Sequence, residues 1–157
     1  MLPLFIAIAI GLSDQLTKFL IQRNFALHDY ITIVPGVFDL RYIQNTGAAW
    51  GMFAGGHLWL ALLSVVMLAM MVIFRKSFLS DSLLDRICLG FIAGGIIGNL
   101  IDRVRLQYVV DFLDFYWKTH HFPAFNIADS AICIGVGLYA ISQFMLVRNA
   151  KSMEQGA

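Results

Sequence analysis

Four apolar stretches, at about residues 2–22, 57–75, 84–102 and 126–147, leave this chain few ways to fold. A helix needs about 20 mostly apolar residues to cross the hydrocarbon of a bilayer, and each stretch meets that length. A soluble domain of 157 residues could not hide them. Apolar residues make up 59% of the chain and charged residues 13%, against usual shares of about 45–50% and about 25%. The expectation is one integral membrane domain, 1–157, mainly α-helical, with four transmembrane helices. The first stretch has no basic segment before it, carries Asp14 and Lys18, and runs about twice the length of a signal-peptide core, so it reads as a retained span.

Connections of about 34, 8 and 23 residues separate the stretches, so four spans put both long connections on one side of the membrane. Charge does not choose that side. Arg75, Lys76, Arg86, Arg148 and Lys151 on one face balance Arg23, Arg41, Arg103, Arg105 and Lys118 on the other. A net charge of +1 with no clustered basic face argues against a nucleic-acid partner. Cys88 and Cys133 sit singly in apolar runs and read as buried small hydrophobes, while His120-His121 lacks ligand-like spacing, so neither metal nor cofactor is expected.

The first long connection reads as extended. Tyr30 to Val34 is rich in β-branched residues, Pro35-Gly36 signals a turn, and Phe38, Leu40 and Tyr42 alternate with Asp39, Arg41 and Ile43. A small β-sheet between helices one and two follows. The small residues of Asn45-Thr-Gly-Ala-Ala-Trp-Gly51 would admit a second backbone, either a peptide or a neighbouring helix. Gly90, Gly94 and Gly98, four apart, leave one face of the third span nearly bare for close packing. The second span reads as plain scaffold, and the loop from Arg75 to Arg86 as a solvated face.

Against that hydrocarbon background the acids stand out. Four of ten, Asp102, Asp111, Asp114 and Asp129, fall between Gly94 and Asp129 among Ile, Val, Phe and Ala. A carboxylate costs roughly 2.5–3.5 kcal/mol at a bilayer centre on insertion scales, so one retained there is a functional candidate. Asp14 and Lys18 share a helix face and can pair. Asn99, Asp102 and Arg103 form a polar face where the third span ends, with an Asp102–Arg103 salt bridge as its structural explanation. Asn126 suits a helix N-cap, and Asp129 is then the acidic third residue that the helix dipole favours. Asp111 arrives on the same membrane face as Asp129, and the two read as a catalytic pair.

Two close carboxyl groups that cannot both ionise share one proton, leaving one as base and the other as acid for hydrolysis of an amide. Competing chemistries lack parts, since the chain has no Gly-x-Ser-x-Gly, His-Glu-x-x-His or Ser-x-x-Lys. A second class of reading is a small proton-coupled transporter or channel subunit in which Asp14, Asp102, Asp111 and Asp129 form a relay.

Asp14-Gln-Leu-Thr-Lys18, Asn45-Thr-Gly-Ala-Ala-Trp-Gly51, Gly98-Asn-Leu-Ile-Asp-Arg103, Val109-Val-Asp-Phe112 and Phe125-Asn-Ile-Ala-Asp129 occur in this order over nearly the whole chain. In these motifs the sequence resembles the bacterial lipoprotein signal peptidases, or signal peptidase II. The resemblance implies a four-helix aspartic endopeptidase of the bacterial inner membrane with its site toward the extracytoplasmic face. It implies cleavage of diacylglyceryl-modified prolipoproteins just before the lipobox cysteine, and inhibition by the cyclic peptide globomycin. Membrane lipid is the surrounding partner, and a monomer is expected. By position, Asp111 and Asp129 match the family's catalytic dyad, and Asp14, Asn45, Asn99, Asp102, Arg103 and Asn126 its polar and substrate-binding support. Asp102 is the rival for the second catalytic seat. Gln107 departs from the glycine that many members carry before Val-Val-Asp.

Overall fold

The computed structural model describes residues 1–47, 52, 55–78 and 82–155, with side chains 77, 78 and 150–155 left aside. Among the described residues, five helices and four strands follow in order: α1 Leu2–Asn24, β1 Tyr30–Val34, β2 Phe38–Asn45, α2 His57–Ile73, α3 Arg75–Phe78, α4 Leu83–Leu106, β3 Val109–Trp117, β4 His120–His121 and α5 Ile127–Gln155. Three helices among the described residues are long and apolar enough to cross a membrane: α1, α4 and the Ile127–Asn149 part of α5. The shorter apolar α2, 17 residues long, packs on α4. Large apolar side chains such as Leu12, Leu16 and Phe19 on α1 and Ile141, Phe144 and Met145 on α5 point outward. That exterior suits hydrocarbon, where helices satisfy their own backbone, and marks a multi-pass membrane protein.

α4 is the central post, packed on α1 on one side and α5 on the other. The glycine face foreseen at Gly90, Gly94 and Gly98 makes this possible. A Cβ on Gly94 would stand 2.8 Å from the Ala7 carbonyl oxygen, and one on Gly98 would stand 2.6 Å from the Asp14 carboxylate. Gly95, next to that face, meets α5 instead, where a Cβ would collide with the Ala128 carbonyl oxygen. Close backbone approach therefore comes from missing side chains.

The sheet is larger than expected. Its order is β1-β2-β3-β4, all antiparallel, so the connection between α4 and α5 supplies two strands to a sheet expected only between the first two helices. Val109-Val-Asp-Phe112 is thus strand and not loop. The expected alternation along β2 is also broken, because Arg41 and Tyr42 together oppose Phe112: Leu40 faces Leu113, and the next pair is Ile43 with Asp111. This bulge leaves Asp39 and Tyr42 buried and Leu40 only partly so. Bulges re-aim side chains beside sites. Ile21, Tyr42, Val110 and Phe112 then form a buried cluster that seats the sheet on the end of α1.

Two further expectations are corrected. The Arg75–Arg86 segment is not wholly a solvated face. It holds the short helix α3, and Asp85 in the first turn of α4 is fully buried, accepting hydrogen bonds from Ser142 Oγ (2.7 Å) and Gln143 Nε2 (3.1 Å) on α5. Cys133 is exposed, whereas Cys88 is buried as read. The small-residue stretch Ala48–Gly51 lies outside the described residues.

Gln107 ends α4 in a left-handed conformation, φ 68°, ψ 8°, the place where a helix ordinarily uses glycine. A glutamine here therefore leaves the path into β3 intact at the cost of backbone strain. Gln107→Gly should relieve about 1 kcal/mol of strain and lose roughly half of it to the added freedom of the unfolded chain. Thermal unfolding in detergent should rise by about 1–3 °C. A lower melting temperature would show that no such strain exists.

Candidate active site

The site forms where the C-terminal halves of α1 and α4 meet the start of α5 beneath β2 and β3. At the start of α5, Asn126 and Asp129 cap one another: the Asp129 N–H donates to Asn126 Oδ1 (3.0 Å), and the Asn126 N–H donates to Asp129 Oδ2 (3.2 Å). This reciprocal box satisfies two backbone donors that a helix start leaves open. The Asn126 side chain reaches further. Its Nδ2 donates to Asp111 Oδ1 on β3 (2.8 Å), to Asn99 Oδ1 on α4 (3.1 Å) and to the Val110 carbonyl (3.3 Å).

Asp111 and Asp129 are held alike. Asp111 accepts from Asn126 on one oxygen and from Asn45 Nδ2 (2.9 Å) on the other. Asp129 accepts from Asn99 Nδ2 (2.7 Å) and from the Asn126 N–H. All four of these N–H donors, from three asparagines, are neutral and aimed at carboxylate oxygens, which favours the ionised form. Burial opposes them. Desolvation first, and then the facing Asp129 carboxylate, push Asp111 up to about 7, against the lowering effect of its asparagine donors and of Lys18.

Both carboxylates line one cavity of about 370 Å³, together with Asn45, Arg103, Phe122, Pro123, Phe125, Ile132 and Cys133. A second cavity of about 480 Å³ lies against the sheet, lined by Arg41, Asn45, Asp111, Asp114 and His121. Asp111 stands where the two meet. Only the first, more apolar cavity also contains Asp129 and faces α5.

Asp14 and Asp102 do not line either cavity. The expected Asp14–Lys18 pair forms at 2.8 Å, four residues apart on α1. Asp102 also pairs with Lys18, at 3.0 Å, and accepts the Val110 N–H at 3.1 Å. The Asp102–Arg103 salt bridge expected from adjacency is absent among the described residues, since neighbours on a helix point about 100° apart. Arg103 instead turns to the Asn99 carbonyl (3.5 Å) and the cavity wall.

All eight residues singled out from the sequence, Asp14, Asn45, Asn99, Asp102, Arg103, Asp111, Asn126 and Asp129, thus meet in one polar cluster. Sequence reasoning left out Lys18 as a member in its own right and missed Gln15, whose Nε2 donates to Asp102 Oδ1 (2.9 Å). Their signal was present in the Asp14-Gln-Leu-Thr-Lys18 motif, but nothing local pairs α1 with Asp102. His121 binds Asp114 through Nδ1 (2.9 Å) and stacks on Tyr116.

A proton relay would string its acids through the membrane. Here Asp85 and the cluster at Asn99 are separated on α4 by about 21 Å at 1.5 Å per residue, and Ile87–Gly98 between them offers only Cys88 as an ionisable side chain. Geometry therefore disfavours the transporter reading.

Comparison with known proteins agrees. Residues 6–145 match the family model described as signal peptidase (SPase) II. The lipoprotein signal peptidase of Geobacter metallireducens is 48% identical over 132 residues, covering 82% of this chain and 81% of that protein. That of Syntrophotalea carbinolica is 44% identical over 144 residues, covering 90% and 89%. A solved structure described as a bacterial membrane enzyme superposes with a TM-score of 0.86 at 31% identity, covering 94% of this chain and 90% of that one. With its paired acids set at the end of three apolar helices and this likeness running almost end to end, the chain belongs to the signal peptidase II family of aspartic proteases.

Proposed function

We propose that this protein removes signal peptides from diacylglyceryl-modified prolipoproteins, cutting before the lipobox cysteine, with Asp111 and Asp129 as its catalytic dyad. The observation that carries the assignment is the shared cavity: two carboxylates open to one space, cross-linked by a single Asn126 side chain and backbone. With Asp111 raised to about 7, the pair keeps one proton near neutrality. The ionised member takes a proton from a water as its oxygen bonds to the scissile carbonyl carbon. The protonated member gives its proton to the carbonyl oxygen, making a tetrahedral diol. Proton return to the peptide nitrogen then breaks the C–N bond, releasing a carboxylic acid and a free amine.

Arg103, Asn45, Asn99 and Asn126 orient the dyad or the substrate, and Asp14 and Asp102 support them from behind. The more apolar cavity along α5 accommodates the lipid-bearing residue and excludes competing solvent. In this reading α2 is a fourth span, since 17 residues reach about 26 Å, near the lower limit for crossing. The active site faces the extracytoplasmic side of the bacterial inner membrane, the protein works as a monomer in lipid without a cofactor, and globomycin competes for the cavity.

The test is cleavage by the purified protein in detergent. It should cut diacylglyceryl-modified prolipoprotein to a product beginning at the modified cysteine, leave the unmodified precursor whole, and stop with globomycin. Equal cutting of the unmodified precursor would overturn the substrate assignment. The pH profile adds a signed prediction. Because the acid's folded value is raised, its proton is held below about 7 and lost above it. The ratio kcat/KM should therefore fall on the alkaline side, by up to about tenfold per pH unit once Asp111 titrates. A rate still rising at about two units higher would contradict the dyad.

A further inference from the structure

Lys18 is 2% exposed and Asp14 0%, in an environment where lysine survives only if its charge is met. The ammonium has three N–H groups, and three acceptors receive it: Asp14 Oδ2 (2.8 Å), Asp102 Oδ2 (3.0 Å) and Asn99 Oδ1 (3.0 Å). Each acceptor continues to the dyad. Asp102 Oδ2 accepts the N–H of Val110, the residue before Asp111, at 3.1 Å. Asp14 Oδ1 accepts the N–H of Ala128, the residue before Asp129, at 2.9 Å. Asn99 donates to Asp129 and accepts from Asn126, which in turn holds Asp111. One cation thus ends three arms, two on the backbone just ahead of each aspartate and the third on both side chains.

We propose that Lys18 is the positioning residue of the reaction: its three arms set the spacing of Asp111 and Asp129, and its charge sets the pH at which the pair holds one proton. The inference rests on the dyad reading above. Structural need alone does not require these endpoints, because a buried ion pair is weak evidence of stability gain and an apolar replacement is often as good. Around the ammonium stand Asp14 and Gln15 of α1 and Asn99 and Asp102 of α4. Around the dyad stand Asn45 of β2, Arg103 of α4 and Asn126 of α5, and Arg41 of β2, Asp114 of β3 and His121 of β4 line the second cavity with Asp111, so Lys18, Arg103 and Arg41 are the lysine and arginine cations around the pair among the described residues. Lys18 is among the groups that hold Asp111 below where burial would leave it.

The experiment compares Lys18→Met, Lys18→Arg and the double variant Lys18→Met/Asp14→Asn with the parent protein in full-length form, with Asp111→Asn as a control. Lys18→Met should lower kcat by about 10²-fold with little change in KM, the signature of lost alignment. Its pH profile should move upward by roughly one unit, the effect of removing one positive charge at several ångströms through an effective dielectric of about 20. The double variant keeps the net charge, so its profile should return to the parent's while kcat stays low. Lys18→Arg keeps the charge but not the compact three-way geometry, and should retain the profile while losing about tenfold in kcat. Should Lys18→Met fail to fold, the other two variants decide. A folded Lys18→Met with parental kcat and profile overturns the proposal, as does parental kcat in the double variant or in Lys18→Arg. Full activity of Asp111→Asn would instead strike the dyad reading and leave a different culprit.

Discussion

Asp111→Asn should abolish cleavage of diacylglyceryl prolipoprotein, lowering kcat/KM by at least about 10³-fold, while the protein still inserts and folds. An amide neither takes a proton from water nor delivers one. It also places an NH2 group where Asp111 now accepts from Asn45 on one oxygen and Asn126 on the other, so one donor must face another. Asp129→Asn should have the same outcome, because its two oxygens likewise meet the Asn99 amide and the Asn126 N–H. The two losses should not add, since the members of the proposed dyad would act as a unit and either defect would remove the shared proton. Single-turnover cleavage of purified variants reads this directly. Parental turnover in either variant would remove that residue from the dyad.

The second large effect comes from a residue with no side chain. Gly95→Ala should lower kcat by about 10²-fold or more, although position 95 touches neither carboxylate. Its new Cβ would collide with the Ala128 carbonyl oxygen and stand 2.7 Å from Ile132 Cγ1. A backbone oxygen at a helix start cannot rotate aside, so α4 and α5 must part. Ala128 is the residue before Asp129, and its N–H is the one that Asp14 holds. Helix separation therefore becomes displacement of one aspartate relative to the other. Overpacking of this kind costs about 1–3 kcal/mol, so thermal stability should also fall. Kinetics and thermal unfolding measured on the same preparation check it. Activity within about threefold of the parent would mean the helices have slack that the geometry denies.

These three variants bear on a site whose parts differ in how readable they were. The Asn126–Asp129 cap and the Asp14–Lys18 pair lie within one turn of helix, so spacing alone announced them. The bare face of Gly90, Gly94 and Gly98 was legible for the same reason. Asp102 was not. Its neighbour Arg103 looked like the natural partner, yet its carboxylate crosses to Lys18, 84 positions away in sequence.

What the sequence by itself determined was local and periodic: apolar lengths that match a bilayer, the few acids retained among them, and their order along the chain. The tertiary structure alone decided which connection contributes the strand that carries Asp111, where the bulge at Arg41 and Tyr42 re-aims β2, and how Asp85 comes to be buried against α5. Helical periodicity repeats within a few residues and is written in the residues themselves. Strand pairing and buried charge join segments whose separation along the chain no local pattern encodes, so their partners exist only once the helices have packed.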